Sequence, residues 1–477
     1  MPVTVIRNAA WIVAYDAEKG THRYLRDGDV AFDGDLIVQV GGTYEGVAET
    51  EIDGRDRLVS PGLVNIHSHP SSEAMNKGML DELGSPRLGM SSLYEFMPLF
   101  RPDDDGRKAC VEVTYSELLL SGVTTLVDLS VAWDGWIDTF AASGLRGIVA
   151  PMYRSARWYT DNGHVVNYEW DEDGGRAAME EALRTIDAAL AHPSGRLSGM
   201  VSPSQIDTCT ADLITDSFAL AHERGVPFQI HAAQSVVEFH EMTRRHGVTP
   251  LEWLDGLGVL KPGAIIGHGI FLNDYPHVFW PEADDFSLLQ KSGAAVAHCP
   301  TVFQRRGIAM NTVGRYIRGG IDVGIGTDTY PHNMLEELRN ALYLSRIMSK
   351  NPYDLRTSDI FDAATLGGAK ILGRDDIGRL AAGAKADLFL ADITDKAMMP
   401  LRDPLRSLIY VAAERAVRDV FVDGRAVVVD GQVVAFDLPD ALARLQQAQR
   451  RAEAAFQGLD FANRPHDVAS PYVYGTS

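Results

Sequence analysis

His67 and His69 are the first residues along the chain whose types and spacing suit metal chemistry. They follow the short apolar run Leu63–Ile66, which is typical of a buried strand. Residues i and i+2 of a strand point to the same face, so two imidazoles project side by side from its end. Neutral imidazole is a common ligand of zinc and related divalent metals. Two surface histidines at a strand end would look the same, so the pair needs support from the rest of the chain.

Four more residues suited to metal binding or acid–base chemistry stand at the ends of predicted strands. His231, His268 and His298 each close a short apolar run, and Asp328 follows the run that starts at Val323. The whole chain has only 14 histidines, which makes chance placement a poor explanation. In (β/α)8 barrels the reactive groups collect at the carboxyl ends of the strands. We therefore expect these side chains to meet in one site.

The elements that must position them follow a strand–loop–helix rhythm from Pro61 onward. Helical spacing of apolar residues is clear over Ala211–Arg224 and Ser235–His246. Eight β/α units in roughly 270 residues predict an α/β fold with a (β/α)8 TIM barrel, which typically needs about 250 residues. A doubly wound sheet is the alternative, and the count of eight favours the barrel. The eight strand candidates end near His69, Ser130, Met152, Ile206, Ala233, Ile270, Pro300 and Tyr330.

The two ends of the chain have a different pattern, with short β runs and turn dipeptides such as Asp33-Gly34 and Asp423-Gly424. We expect residues 1–58 and 381–436 to form one small β-sandwich, interrupted in sequence by a metal-dependent hydrolase barrel over residues 59–380. Residues 437–477 are expected to form a C-terminal helix and an irregular tail. The tail segment Tyr472-Val473-Tyr474 suggests contact with a neighbouring subunit, and we expect a homo-oligomer.

Composition excludes several classes of function. The chain has 477 residues, with 44 basic and 65 acidic side chains and a net charge of −21, which disfavours nucleic acid as a partner. No apolar run reaches the roughly 18 residues of a membrane span, and the N-terminus lacks the features of a signal peptide. The three scattered cysteines form no disulfide framework. We expect a cytoplasmic enzyme with a small-molecule substrate, without nucleic-acid or membrane partners.

The motifs together resemble the metal-dependent amidohydrolase superfamily. Within it, the nearest branch contains cytosine, guanine and S-adenosylhomocysteine deaminases and atrazine chlorohydrolase. The resemblance spans nearly the whole chain and implies a mononuclear metal site. The matching pieces are Pro61 to His69, His231-Ala-Ala, Gly267-His268-Gly269, His298-Cys299-Pro300, Gly326-Thr327-Asp328 and the run from Gly378 to Leu388.

The resemblance implies His67, His69, His231 and Asp328 as metal ligands and places His268 beside the metal-bound water. Asp328 can also accept the proton of that water and pass it to the leaving group. No lysine stands at the end of the fourth strand, which argues against a binuclear site with a carbamylated lysine. One divalent ion is expected, with zinc preferred and iron or cobalt as alternatives.

One position departs from the deaminases of this branch, which carry Glu three residues after the strand-five histidine. Here that residue is Gln234, which can form hydrogen bonds but cannot transfer a proton at neutral pH. Attack on an aromatic ring requires a protonated ring nitrogen, whereas attack on a carbonyl does not. The sequence therefore favours hydrolysis of a non-peptide C–N bond in an amide, urea, carbamate or thiocarbamate. Phenylurea and molinate hydrolases are the activities to compare first.

The alternative is an aminohydrolase or dehalogenase that acts on an N-heteroaromatic ring, with another acid in place of Gln234. Four residues are predicted to contact a small, partly apolar substrate: Gln234, His298, Gln304 and Trp133. The loop after His298-Cys299-Pro300 is less polar than the Thr-Ser-Asn of the branch, which favours an apolar substrate. Weaker candidates for the pocket are Glu73, Asn76, Lys77, Glu95, Trp158 and Tyr159.

Overall fold

The terminal strands and a central strand–helix alternation make up the structure. The computed structural model describes residues 3–79 and 85–475, so residues 1–2, 80–84 and 476–477 of the predicted segments lie outside it. Before the alternation come β1 (Val3–Asp16), β2 (Thr21–Asp33), β3 (Leu36–Val40), β4 (Thr50–Asp53) and β5 (Arg57–Pro61).

The central segment follows in chain order with mostly parallel strands and intervening helices. Its elements are β6 (Leu63–Ser68), α1 (Asp104–Leu120), β7 (Val123–Asp128), α2 (Trp136–Ser143), β8 (Arg146–Val149), β9 (Met152–Tyr153), β10 (Ala156–Tyr159), β11 (Asn167–Trp170), α3 (Glu172–Leu190), β12 (Leu197–Gly199), β13 (Ser202–Pro203), α4 (Ala211–Arg224), β14 (Phe228–Ala232), α5 (Val236–His246), α6 (Pro250–Gly256), β15 (Ala264–His268), α7 (Asp285–Ser292), β16 (Ala295–His298), α8 (Pro300–Gln304), α9 (Val313–Arg318), β17 (Val323–Ile325), α10 (Met334–Ser349), α11 (Thr357–Asp362) and α12 (Gly368–Ile371).

The last part returns to antiparallel strands and ends in helices. Its elements are β18 (Leu388–Asp392), α13 (Pro404–Ser407), β19 (Val417–Val422), β20 (Arg425–Val429), β21 (Gln432–Val433), α14 (Leu438–Leu459) and α15 (His466–Ala469). Short 3-10 or π-helical turns occupy Glu73–Asn76, Ser92–Phe96, Ala363–Gly367, Leu408–Ala412 and Ala413–Ala416. Of the helices that the structure describes, none combines the length and the apolar character needed to cross a membrane.

The first and last strands of the chain share one nine-stranded sheet, in the order β21-β20-β19-β18-β5-β1-β2-β3, with β4 also paired to β1. Pro61 on β5 lies opposite Leu388 on β18, so the two terminal segments meet there. The sequence pattern predicts two strands, Val3–Arg7 and Ala10–Tyr15, where the structure has the single strand β1. A register shift between Ile6 and Ala9 interrupts the pairing with β2, which explains the break in the apolar pattern.

Eight of the central strands form two parallel four-stranded sheets, β12-β8-β7-β6 and β14-β15-β16-β17. Of the other four, β9 pairs with β13 in parallel and β10 pairs with β11 antiparallel. Isolated parallel bridges join Ser68 to Asp328 and Val201 to Phe228, at the two junctions between these sheets. The strands are buried on both faces, as expected when helices cover a parallel sheet. Their carboxyl ends lie side by side and carry the candidate site.

Candidate active site

The five residues expected nearest the metal converge at the carboxyl ends of β6, β14, β15 and β17. Nε2 of His69 lies 3.2 Å from Oδ1 of Asp328 and 3.3 Å from Nε2 of His231. Nε2 of His67 lies 3.6 Å from the same carboxylate oxygen. His268 is slightly farther, with Nε2 3.9 Å from Oδ2 of Asp328. The ligand atoms of His67, His69 and Asp328 all lie within 4.8 Å of one another, as a shared cation requires.

The other nitrogen of three of these imidazoles, those of His67, His69 and His231, contacts an acceptor that orients the ring. Nδ1 of His67 lies 2.5 Å from Oε1 of Gln229. Nδ1 of His69 lies 2.7 Å from the Leu129 carbonyl oxygen, and Nδ1 of His231 lies 2.6 Å from the Ser204 carbonyl oxygen. A proton on Nδ1 leaves the Nε2 lone pair directed at the common centre, the usual arrangement of metal-binding histidines. Nε2 of His67 is buried with no hydrogen-bond partner among the described residues. The donor set therefore fits a divalent metal.

The centre combines one ionised carboxylate with imidazoles of different basicity. Burial disfavours ionisation of Asp328, but its close contacts with His67 and His69 hold the pKa of its carboxyl well below the usual value. Burial lowers the pKa of His231 and His268 well below the usual value, so both rings are neutral at pH 7. The pKa of His69 is raised, because contact with Asp328 outweighs burial. An ionised carboxylate among imidazoles suits a cation.

Backbone turns after the strands aim these side chains. Ala233, His268 and Asp328 all have positive φ, at 53°, 85° and 57°, a conformation that costs a non-glycine residue of order 1–3 kcal/mol. The turn after β14 is held by Glu238 of α5, whose carboxylate accepts the backbone N–H groups of Ala233 at 2.6 Å and of Gln234 at 3.3 Å. The carboxyl end of β14 therefore presents Gln234 in a fixed position.

A cavity of about 460 Å³ opens above the centre, within the usual range for small-molecule sites. His69, His231, His268 and Asp328 lie at its polar side. Its other lining residues include an acid, several amides, arginines and many apolar groups. Among them are Glu73, Asn76, Met90, Leu93, Met97, Phe100, Arg101, Arg107, Leu129, Met152, Arg154, Trp158, Gln234, Phe303 and Arg306.

Gln234 is the one predicted substrate residue, outside the metal group, that the structure brings into this cavity. Its side-chain nitrogen is buried, with the Glu238 carboxylate as its neighbour. His298 lines a separate small cavity with Ile270 and Phe303, and burial lowers its pKa to about 4. Gln304 and Trp133 are not among the residues that line the main cavity.

Some of the weaker candidates for the pocket line the cavity, and others lie outside it. Glu73 and Trp158 line the cavity, whereas Lys77 pairs with Glu117 outside it. Glu95 is 3% exposed and forms an ion pair with Arg464 at 2.5 Å, which assigns it to the packing of the C-terminal segment.

Gln229, Arg101 and Arg154 are site residues that the sequence reasoning does not identify. Gln229 is two positions before His231 on the same strand and thus on the same face, a signal that was present in the sequence. The arginines come from loops, where no periodicity marks them.

Comparisons with known proteins identify the family of this chain. The model of the Amidohydrolase family matches residues 58–427. A 5-methylthioadenosine/S-adenosylhomocysteine deaminase from Natronomonas pharaonis is 31% identical over 90% of this chain and 94% of its own. A 5'-deoxyadenosine deaminase from Methanothermobacter thermautotrophicus is 28% identical over 86% of this chain and 91% of its own.

Two solved structures with bound zinc share the fold. An adenosine deaminase from Xanthomonas campestris superposes with a TM-score of 0.79 at 23% identity, over 94% of this chain and 98% of its own. Atrazine chlorohydrolase from Arthrobacter aurescens superposes with a TM-score of 0.76 at 22% identity, over 94% of this chain and all of its own.

The chain belongs to the amidohydrolase family. It is a metal-binding hydrolase that acts on carbon–nitrogen bonds, and its fold is the mixed α/β TIM-barrel type of that family. The relatives named as deaminases favour ring chemistry over the carbonyl chemistry that Gln234 suggests. The order of the two functional hypotheses from the sequence is therefore reversed.

Proposed function

We propose that the protein is a metal-dependent aminohydrolase that removes an amino group from an N-heteroaromatic ring of a small, partly apolar molecule. The observation that carries this proposal is the convergence of His67, His69, His231, His268 and Asp328 at one end of a mainly apolar cavity. The relatives named as deaminases of adenosine derivatives support ring chemistry. The substrate class is an aminated heterocycle.

In this proposal His67, His69, His231 and Asp328 hold one divalent metal, with zinc preferred because two similar structures contain it. A bound metal of this kind supplies hydroxide at neutral pH by lowering the pKa of a coordinated water. Asp328 accepts the proton of the attacking water at its carboxylate and transfers it to the departing amine. Nε2 of His268, neutral and 3.9 Å from that carboxylate, orients the water.

A second proton must reach the ring nitrogen, and Gln234 cannot deliver it. Glu73 and Asp328 are the only acidic side chains among the described residues that line the cavity. Glu73 is 2% exposed, and its Oε2 accepts a hydrogen bond from Nδ2 of Asn76 at 3.2 Å. We assign proton delivery to Glu73, with Gln234 forming a hydrogen bond with the substrate through its side-chain amide.

Hydrolysis of an amide, urea, carbamate or thiocarbamate is the second candidate. Gln234 favours it, since attack on a carbonyl requires no protonated ring nitrogen. The same metal ligands serve both reactions, so the substrate decides between them.

One screen separates the two candidates. Metal-loaded enzyme is incubated with aminated heterocycles and with ureas, carbamates and amides of similar size, and released ammonia and amine are measured. We expect ammonia release from at least one heterocycle at a higher kcat/KM than any carbonyl cleavage. Faster cleavage of a urea, carbamate or amide overturns the ring proposal and supports the second candidate.

We also propose the complete architecture expected from the sequence. The bridges at Ser68–Asp328 and Val201–Phe228 support closure of the eight parallel strands into a barrel. The single shared sheet supports one small β unit built from residues 1–58 and 381–436, and a second packed layer is what the proposed β-sandwich adds to it. An experimental structure tests both, and light scattering tests the proposed homo-oligomer. Separate terminal units, or a monomer at working concentration, would contradict these proposals.

A further inference from the structure

The long C-terminal helix α14 packs against the loop that follows β6. Its buried residues recur every three or four positions and form one apolar face. That face packs on α1 and on Ala74 and Met75, which belong to the short turn Glu73–Asn76. α1 and α14 approach closely at Gly106, where an added Cβ would lie 2.5 Å from Cβ of Ala448. The helix therefore has a fixed position beside this turn.

Gln449 connects α14 to the backbone of the turn. Its side-chain nitrogen donates hydrogen bonds to the Met75 carbonyl at 2.7 Å and to the Lys77 carbonyl at 3.0 Å. The amide oxygen of Gln449 accepts a hydrogen bond from the side chain of Gln446 at 3.2 Å. A side-chain amide has two N–H donors, so Gln449 can serve both carbonyls at the same time.

The same turn carries Glu73, to which proton delivery is assigned. Nδ2 of Asn76 donates to Oε2 of Glu73 at 3.2 Å, and both residues line the cavity. The two carbonyls that Gln449 binds belong to the residues on either side of Asn76. A single 3-10 turn has hydrogen bonds of poor geometry, so contacts with neighbouring segments decide where it lies.

We propose that Gln449 is a positioning residue for Glu73. It holds the backbone on both sides of Asn76, and Asn76 orients the carboxyl group of Glu73. Proton transfer requires the donor to lie about 2.6–3.2 Å from the atom that it protonates, so a small displacement of the turn slows it. Residues 438–475 thus act on the reaction, although none of them lines the cavity. This inference rests on the proposed function for the role of Glu73, but the contact itself can be tested without turnover.

The test without turnover measures backbone amide hydrogen exchange of residues 70–79 in metal-loaded enzyme by mass spectrometry. Gln449→Leu removes both donors, and Gln449→Glu keeps the shape of the side chain but has no donor at neutral pH. We expect faster exchange of this segment in both variants, because the turn opens more often. Gln447→Leu is the matched control, since Gln447 is exposed on the same helix. Circular dichroism verifies that every variant is folded.

The turnover test uses a heterocycle that the wild-type enzyme deaminates. Gln449→Leu should lower kcat about 10-fold and leave KM within about 2-fold, because the displaced group acts in the chemical step. In the Glu73→Gln background, Gln449→Leu should change kcat by less than about 2-fold, since a positioning residue acts only through the group that it positions. Gln447→Leu should have no effect in either background.

Three results separate the possibilities. Wild-type exchange of residues 70–79 in both Gln449 variants overturns the contact. An unchanged kcat in Gln449→Leu, or the same fall in kcat with and without Glu73→Gln, overturns the positioning role. Faster exchange in the Gln449 variants, together with no deamination of any heterocycle by wild-type enzyme, overturns the proposed function and leaves the contact between Gln449 and the turn standing.

Discussion

Oε1 of Gln229 lies 2.5 Å from Nδ1 of His67, although the two residues are 162 positions apart. Gln229 is fully buried, and its amide nitrogen donates to the Ile66 carbonyl at 3.1 Å. One glutamine on β14 thus binds both the side chain and the neighbouring backbone of a residue on β6. Such a contact fixes the ring and leaves only Nε2 for the metal.

Replacing Gln229 by Leu should weaken metal binding by about 10- to 100-fold, as for other residues that support a metal ligand. The ring of His67 would lose the acceptor that orients it. Competition with a chelator measures the affinity, and circular dichroism verifies the fold. The control is Gln290→Leu, which changes an exposed glutamine on α7. Equal metal affinity in wild type and Gln229→Leu would refute this role.

Asp328→Asn should reduce kcat by at least about 10²-fold even when metal is saturating, because the variant loses its acid–base group. Metal content and steady-state turnover are measured on the same samples. Asp322→Asn serves as the control, since Asp322 is on the same segment and pairs with Lys370 at the surface. A metal-loaded Asp328→Asn variant with near wild-type turnover would exclude Asp328 as the proton carrier.

Glu73→Gln should lower kcat for ring deamination by about 10²- to 10³-fold, because the ring nitrogen then lacks its proton source. Gln234→Glu should retain metal and restore part of the activity when combined with Glu73→Gln. Under carbonyl hydrolysis, Gln234→Glu alone should change the rate only modestly, by the roughly 1–3 kcal/mol of a mismatched polar contact. Glu117→Gln, outside the cavity, is the control.

The measurement is kcat against pH for the two single variants and the double variant. Loss of the alkaline limb of the profile in Glu73→Gln, and its return in the double variant, is the expected result, because a proton donor acts only while it is protonated. If Glu73→Gln leaves the pH profile of kcat unchanged, another group donates the proton to the ring nitrogen.

The buried carboxyl of Glu337 should make the free energy of unfolding depend on pH. Burial raises the pKa of its carboxyl to about 8, and its Oε2 accepts the Thr301 N–H at 3.0 Å. Because the folded-state pKa is higher than the unfolded one, the folded state binds the extra proton. Its contribution to the free energy of unfolding is fully present below about pH 4 and is lost as the pH rises through 8.

Glu337→Gln mimics the protonated side chain, so it should match wild type at low pH and exceed it at high pH. The difference in free energy of unfolding should grow on the order of 2–5 kcal/mol between pH 5 and pH 9. Urea denaturation of both proteins at several pH values measures it. A constant difference across this range would show that Glu337 does not titrate as stated.

The sequence predicts the site best where local patterns determine the structure. His67, His231 and His268 end apolar strands whose pattern is visible in a few residues, and the structure places all three at one centre. Gln304 and Trp133 were assigned from their proximity in sequence to strand ends, and this does not determine which way a loop residue faces.

The basic wall of the cavity illustrates what local patterns omit. Arg101 and Arg154 are brought together by two loops from different β/α units, and their meeting depends on packing between distant segments. The apolar pattern predicts only Asp29–Phe32 of β2, because the side chains of Thr21–Arg26 are exposed or half-buried and show no apolar alternation.

The seam between β5 and β18 has a consequence for synthesis of the chain. β5 lies between β1 and β18 in the sheet. Pro61 on β5 can pair with Leu388 on β18 only after the ribosome has synthesised β18. At about 5–20 residues per second, the ribosome needs roughly tens of seconds to produce the missing strand. During that time the free edge of β5 can pair with strands of other nascent chains. The yield of folded enzyme should therefore increase when chaperones or low expression rates keep unfinished chains apart.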